Sequence, residues 1–283
     1  MILGAHVSIA KGYPAAAKYL VEELGCNAMQ VFLKSPRGRA EKPLKEEEAK
    51  EFKKYCKENG LVYTVGHASY LLNLAKKIPA NDYQVKSILS DMEKIHRLGG
   101  KGVIYHVGKY LDLEYEEAQN LLVKNLKALL KKARKYKVKL LLENLAGQKS
   151  EMGTTVEQLA DIYNALGKDK QIEFCIDTCH AFVSGYDFSK KTEVQKFFKK
   201  FDKLIGIKKI QCIHLNDSKK PFNAHVDRHA NILDGEIGKE GLKTVVNIAK
   251  RNKIPLILET PEKVKNQRLK DVKTVKKLAG MKA

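Results

Sequence analysis

Short apolar runs alternate with longer charged stretches eight times along this 283-residue chain, and that alternation leaves few folds open. The runs near 2–7, 28–33, 61–66, 102–106, 138–143, 172–177, 210–214 and 254–259 are rich in β-branched and large aliphatic residues and read as strands. Their apolarity is continuous rather than alternating, as in parallel strands covered on both faces. The stretches near 14–24, 45–59, 81–98, 115–136, 155–166, 193–204, 239–251 and 269–278 carry helical periodicity. Pro14 suits a first helical turn, Gly25, Gly60 and Gly99 suit C-terminal caps, and Thr154 with Glu157 suits a capping box. Eight βα units predict an α/β chain folded as a single (β/α)8 TIM barrel over residues 1–283. No Pro/Gly/Ser-rich linker divides it.

Six of the apolar runs end on, or run directly into, a residue that can bind a metal: His67, His106, Glu143, Asp177, His214 and Glu259. A barrel gathers the C-terminal ends of its strands around one mouth, where barrel enzymes keep their chemistry, so these six are expected to converge there. One strand-end acid often just caps a neighbouring helix. Glu143, Asp177, His214 and Glu259 in successive units point instead to a metal site. Mixed His and carboxylate ligands suit zinc, manganese or iron, and a shared Glu can bridge two ions. With Glu143 as that bridge, His67 and His106 are candidates for a second ion. His180, Asp227 and His229 form a third candidate set, because Asp-x-His in an extended loop puts both side chains on one side. Arg228, between them, then points toward a phosphate or carboxylate. His6 is expected at most to line the site, His96 to lie on a helix, and His225 in the seventh loop. The loops after strands two, three and seven, 34–43, 67–80 and 216–240, are long, and long loops in a compact barrel are commonly functional.

Fifty-three Lys and Arg against 33 Asp and Glu leave a net charge of +20, nearly all of it from lysine. Amphipathic helices with lysine-rich faces account for part of this. An excess this large also favours a polyanionic partner such as nucleic acid. No apolar run approaches the roughly 20 residues that span a bilayer, and no basic leader precedes the first strand, so neither a membrane anchor nor a secretory signal is expected. Five cysteines, an odd number set mostly within strand and helix patterns, predict reduced thiols in a cytosol-like compartment. Cys175 and Cys179 lack zinc-knuckle spacing and read as core thiols.

Several strings carry a family resemblance: Gly4-Ala5-His6-Val7-Ser8, His67-Ala68-Ser69-Tyr70-Leu71-Leu72-Asn73, Glu143-Asn144 with Ala146-Gly147-Gln148, and Asp177-Thr178-Cys179-His180. The most specific are His214-Leu215-Asn216-Asp217-Ser218-Lys219, Asp227-Arg228-His229 and Leu258-Glu259-Thr260-Pro261. On these, in order along nearly the whole chain, the sequence resembles the endonuclease IV family of zinc-dependent apurinic/apyrimidinic endonucleases. The resemblance implies three zinc ions per chain, with manganese as the alternative at one or more positions. It assigns His67, His106 and Glu143 to one ion, Glu143, Asp177, His214 and Glu259 to the second, and His180, Asp227 and His229 to the third. It implies catalytic roles for Glu143, Asp177 and Glu259, the last orienting the nucleophilic water or accepting its proton. The implied reaction belongs to base-excision DNA repair. It is hydrolysis of the phosphodiester 5′ to an abasic site in double-stranded DNA, giving a 3′-hydroxyl and a 5′-deoxyribose phosphate, with removal of 3′-blocking groups besides. Tyr70-Leu71 is the implied wedge, Arg37 the DNA-inserting arginine, and Lys109, Lys219 and Arg228 are phosphate contacts. A monomer in the cytoplasm, nucleoid-associated in a prokaryote, is expected on the same ground. Three positions depart from the family pattern: Val107 stands where a proline is expected, and Lys149 and Leu233 where glycines are common. The rival is a xylose-isomerase-like sugar isomerase or epimerase. It shares the quartet Glu143, Asp177, His214 and Glu259 but has no use for the other five ligand-type residues or for a charge of +20.

Overall fold

The computed structural model describes residues 1–35, 43–79 and 81–281. In chain order the elements are β1 (Leu3–His6), α1 (Tyr13–Lys18), β2 (Ala28–Phe32), α2 (Glu46–Glu58), β3 (Tyr63–His67), α3 (Tyr83–Arg97), β4 (Gly102–His106), α4 (Tyr115–Ala133), β5 (Lys139–Glu143) and α5 (Val156–Ala165). They continue with β6 (Ile172–Asp177), α6 (Thr178–Val183), α7 (Lys191–Leu204), β7 (Ile210–His214), β8 (Asp217–Ser218), β9 (His229–Ala230), α8 (Gly238–Asn252), β10 (Leu256–Leu258) and α9 (Gln267–Leu278). Eight of the strands, all parallel, close on themselves in the order β1-β10-β7-β6-β5-β4-β3-β2, so the chain is the expected TIM barrel. β8 and β9 form a small antiparallel ribbon outside it.

Two apolar layers explain the continuous hydrophobicity of the strands. The larger joins strands to helices, as where Leu140 and Leu142 of β5 meet the cluster that holds Leu126 and Leu129 of α4. The smaller fills the barrel with Ala28, Tyr63, Val65, Ile104, Leu141, Cys175, Cys212 and Ile257. Successive strand side chains face opposite sides, so the residue two positions beyond an inner one also points inward. Counting two on from Ala28, Val65, Ile104, Leu141, Cys175, Cys212 and Ile257 reaches Gln30, His67, His106, Glu143, Asp177, His214 and Glu259. A ring of polar residues therefore caps the inner apolar layer at the C-terminal mouth. On β1 the inner position is Gly4, where a Cβ would lie 1.9 Å from the Ala28 carbonyl oxygen, and two residues on stands His6.

Several local expectations shift. The first helix, expected over 14–24, ends at Lys18 and continues as a π-helical turn, Tyr19–Glu23. Pro14 does sit in its first turn, and Gly25, Gly60 and Gly99 close their helices at φ of 61°, 69° and 73°. The cap of α5 is Thr155, not Thr154: its Oγ1 accepts from Gln158 N at 3.2 Å, while Gln158 Oε1 accepts from Thr154 N at 2.9 Å. The threonine doublet made either register available, and Gln158 rather than Glu157 reaches back. α6, β8 and β9 were not expected, because six-residue and two-residue elements are too short to show a period. β10 stops at Leu258, short of the expected 259. Glu259 is held there by a backbone bond to Asn216 Oδ1 at 3.0 Å. Lys149 and Leu233, which replace expected glycines, have φ of 56° and 71°, backbone that glycine adopts without steric cost. No helix among the described residues is long and apolar enough to cross a membrane.

Candidate metal centre

All nine ligand-type residues singled out in the sequence meet at the barrel mouth in the three expected groups. His67, His106 and Glu143 bring one ligand atom each within 4.8 Å of one another, as do Glu143, Asp177, His214 and Glu259, and as do His180, Asp227 and His229. Strand register sets the first two groups, since His106 lies beside Glu143 and Asp177 beside His214. Glu143 belongs to both. Its Oε2 is 3.2 Å from Nε2 of His67 and of His106, and its Oε1 is 2.8 Å from His214 Nδ1.

The third group depends on two short elements. Asp177 caps α6 by accepting from His180 N at 2.8 Å, which turns His180 back over the mouth. β9 brings in His229, whose Nε2 lies 3.2 Å from Asp227 Oδ1 and 3.6 Å from Asp177 Oδ2. Backbone carbonyls orient two of the imidazoles. His67 Nδ1 donates to Ala68 O at 2.7 Å and His180 Nδ1 to Asn144 O at 2.9 Å, leaving each Nε2 turned toward carboxylates.

The electrostatics follow from this crowding. Burial by itself would lower the histidine pKa values, but the carboxylates outweigh it. Glu259 and Glu143 lift His214 to about 10, Asp177 and Asp227 lift His229 to about 9, and His180 is raised well above its ordinary value. Burial would raise Glu259, yet His214 and His67 bring it down to about 2; Glu143 and Asp227 are likewise held low by the histidines beside them. Such a set of anions requires positive charge, either as protons on the imidazoles or as cations between the ligands. His6 differs, because burial lowers it to about 4 and leaves it neutral, its ring 4.4 Å from that of Phe32.

Above the groups opens a cavity of about 430 Å³ whose walls include Tyr70, Lys109, Asp227 and Glu259. Tyr70 is 44% exposed with its ring edge-on to Phe32 at 5.4 Å, and Leu71 is 65% exposed. Lys109 is not free at the rim: its Nζ pairs with Glu151 at 3.2 Å. Lys219 and Arg228 are exposed on the β8–β9 segment, where Lys219 N donates to Arg228 O. Arg37 lies outside the described residues. His96 packs on Tyr136 from α3, and His225 stands beside Gly147; neither belongs to a ligand group. Four of the five thiols are buried and Cys56 is half-buried; Cys175 Sγ lies 3.5 Å from Cys212 Sγ, and burial pushes Cys179 up to about 12.

The xylose isomerase-like TIM barrel family matches residues 19–278. A putative endonuclease 4 of Acanthamoeba polyphaga mimivirus is 38% identical over 268 residues, 92% of this chain and 85% of the relative. The chain belongs to the endonuclease 4 family. Endonuclease IV from Thermus thermophilus, in its crystal structure, matches with a TM-score of 0.87 and 31% identity over 99% of both chains. A D-tagatose 3-epimerase-like protein matches with a TM-score of 0.71 over 99% of this chain and 97% of its own, but at 20% identity it shares the fold alone. Three amides join the ligand groups without having been singled out for it. Asn144 Oδ1 accepts from Asp177 N at 2.8 Å, Asn216 Nδ2 donates to Asp177 Oδ2 at 2.7 Å, and Gln30 joins His214 to Glu259. Both asparagines sit within the family strings. Gln30 had one signal, a polar residue inside the apolar run 28–33.

Proposed function

We propose that this chain is a metal-dependent DNA-repair endonuclease that hydrolyses the phosphodiester 5′ to abasic sites in double-stranded DNA. The products are a 3′-hydroxyl and a 5′-deoxyribose phosphate, and the same centre removes 3′-blocking groups. The observation that carries this reading is the meeting of three ligand groups at one mouth, with the sealed carboxylate of Glu143 common to two. The donors are imidazole nitrogen and carboxylate oxygen, the set that suits zinc, with manganese as the alternative. The fit rests on His214 Nδ1, which faces Glu143 Oε1 at 2.8 Å, Glu259 Oε2 at 3.0 Å and Asp177 Oδ2 at 3.7 Å, an arrangement that repels itself without a cation or a proton inside. His67, His106 and Glu143 would hold one ion, Glu143, Asp177, His214 and Glu259 a second, and His180, Asp227 and His229 a third.

Bound divalent cations lower the pKa of a coordinated water and neutralise charge on the phosphate and the leaving 3′-oxygen. Glu143 and Asp177, closed off from solvent, supply fixed negative charge, whereas Glu259 lines the cavity and orients the attacking water or takes its proton. Tyr70 and Leu71 fill the gap in the base stack when the abasic sugar is turned out. Lys109, Lys219 and Arg228, together with Arg37, contact phosphates, Lys109 exchanging Glu151 for one of them. The charge of +20 makes binding salt-dependent through counterion release.

The test is a duplex carrying one reduced abasic analogue that cannot undergo β-elimination, incubated with metal-replete protein. A nick on the 5′ side, with a 3′ end that a polymerase extends, is expected. An intact strand alongside turnover of a ketose would turn the assignment toward the sugar isomerases.

A further inference from the structure

We infer that Gln30 is a positioning residue that presents His214 and Glu259 together to one bound cation. This deepens the metal-centre reading and rests on it. Gln30 is sealed within the barrel and belongs to the same inward ring as the ligands, two residues on from Ala28 of β2. Its side-chain nitrogen lies 2.6 Å from Glu259 Oε1 and its oxygen 2.7 Å from His214 Nε2. An ionised carboxylate only accepts hydrogen bonds, so the amide nitrogen must face Glu259 and the amide oxygen must face His214. His214 Nε2 therefore carries a proton, and the lone pair of a neutral ring is placed on Nδ1, toward Glu143, Asp177 and Glu259.

The second amide N–H reaches His6 Nδ1 at 3.1 Å, so both donors and the acceptor are engaged. That contact also gives His6 a partner other than a cation. The three inner-ring residues are thus tied by one amide. His67 and His180 take the equivalent orienting bond from backbone carbonyls, which no side-chain substitution can remove. His214 takes it from a side chain. An outer partner of this kind typically changes metal affinity by about 10–100-fold when lost.

Two variants separate the bonds. Gln30→Glu keeps the shape and the acceptor for His214 but sets a carboxylate against Glu259; Gln30→Met keeps the volume and loses both bonds. Zinc affinity is measured by chelator competition, and the visible spectrum is recorded on the cobalt-substituted protein. One of three cations is expected to weaken by roughly 10–100-fold in Gln30→Met and by less in Gln30→Glu, with its cobalt bands shifted and the other two unchanged. Wild-type affinity and spectrum in Gln30→Met would overturn the role of Gln30 while leaving the metal centre standing. Equal weakening of all three cations would also overturn it, since that is a purely structural effect. A wild-type chain that binds no zinc or cobalt would overturn both the centre and this inference.

Discussion

Glu143→Gln separates the three ligand groups by count. The two carboxylate oxygens serve different groups, Oε2 lying 3.2 Å from His67 and His106 and Oε1 2.8 Å from His214. The amide keeps the shape but removes one charge from both groups and replaces one oxygen with an NH2 that cannot ligate. The third group has its own carboxylate, Asp227, and the contact of Glu143 with His180 is longer, 3.6 Å, at a nitrogen already donating to Asn144 O. Metal content should therefore fall from three per chain toward one, whereas Asp227→Asn should lower it to two. Metal-assisted catalysis contributes several kcal/mol; a loss of about 4 kcal/mol is a roughly thousandfold fall in single-turnover nicking. The barrel should persist by circular dichroism, because its strands are joined through backbone bonds. Metal analysis after gel filtration, paired with nicking rates on an abasic duplex, reads both numbers. A Glu143→Gln protein that keeps three metals and nicks within roughly tenfold of wild type would refute the bridging role.

Tyr70→Ala removes a ring that stands half exposed over the cavity. Stacking groups of this kind contribute about 1–3 kcal/mol, so affinity for abasic duplex should drop roughly 5- to 150-fold while undamaged duplex is bound as before. Equal losses on both, read by anisotropy, would sink the wedge. In the metal-free chain His214 and His229 are raised to about 10 and 9 from 6.5, so their protonation stabilises the fold fully below pH 6.5 and ceases to as pH climbs through 9 to 10. Glu259, lowered to about 2 from 4.5, contributes above pH 4.5 and loses its contribution as pH falls toward 2. The urea midpoint of stripped protein should then decline between pH 6.5 and 10, and zinc should remove that decline by replacing the protons; a flat alkaline profile would contradict this. Leu233→Gly relieves a left-handed backbone at φ 71° worth about 1–2 kcal/mol against an entropic cost of about 0.5–1 kcal/mol, so urea stability should be unchanged or rise by up to about 1.5 kcal/mol. A clear fall would show the Leu233 side chain to matter more than its strain.

The barrel and most of its centre were legible because both follow from a period of two. The inner residues Val65, Ile104, Leu141, Cys175, Cys212 and Ile257 belong to the apolar runs that marked the strands, and two positions on the runs break at His67, His106, Glu143, Asp177, His214 and Glu259. His180, Asp227 and His229 were legible from local spacing, although the elements that aim them, α6 and β9, are too short to announce themselves. Gln30 was not, because an amide is no metal ligand and its partners His214 and Glu259 lie 184 and 229 residues away in sequence. Apart from Arg228, the residues expected to touch DNA were nameable only through the family strings, since an exposed Tyr70 looks like any loop residue until a site opens beside it.

The central claim is that cleavage belongs to three cations held together by these nine side chains. Its most direct test is to strip the wild-type protein by prolonged chelation, return zinc in measured equivalents, and record nicking of the reduced abasic duplex at each addition. Cleavage 5′ to the lesion that vanishes on stripping and recovers fully only as the third equivalent binds is the predicted result. Full cleavage by the stripped protein, or with a single equivalent bound, would contradict it.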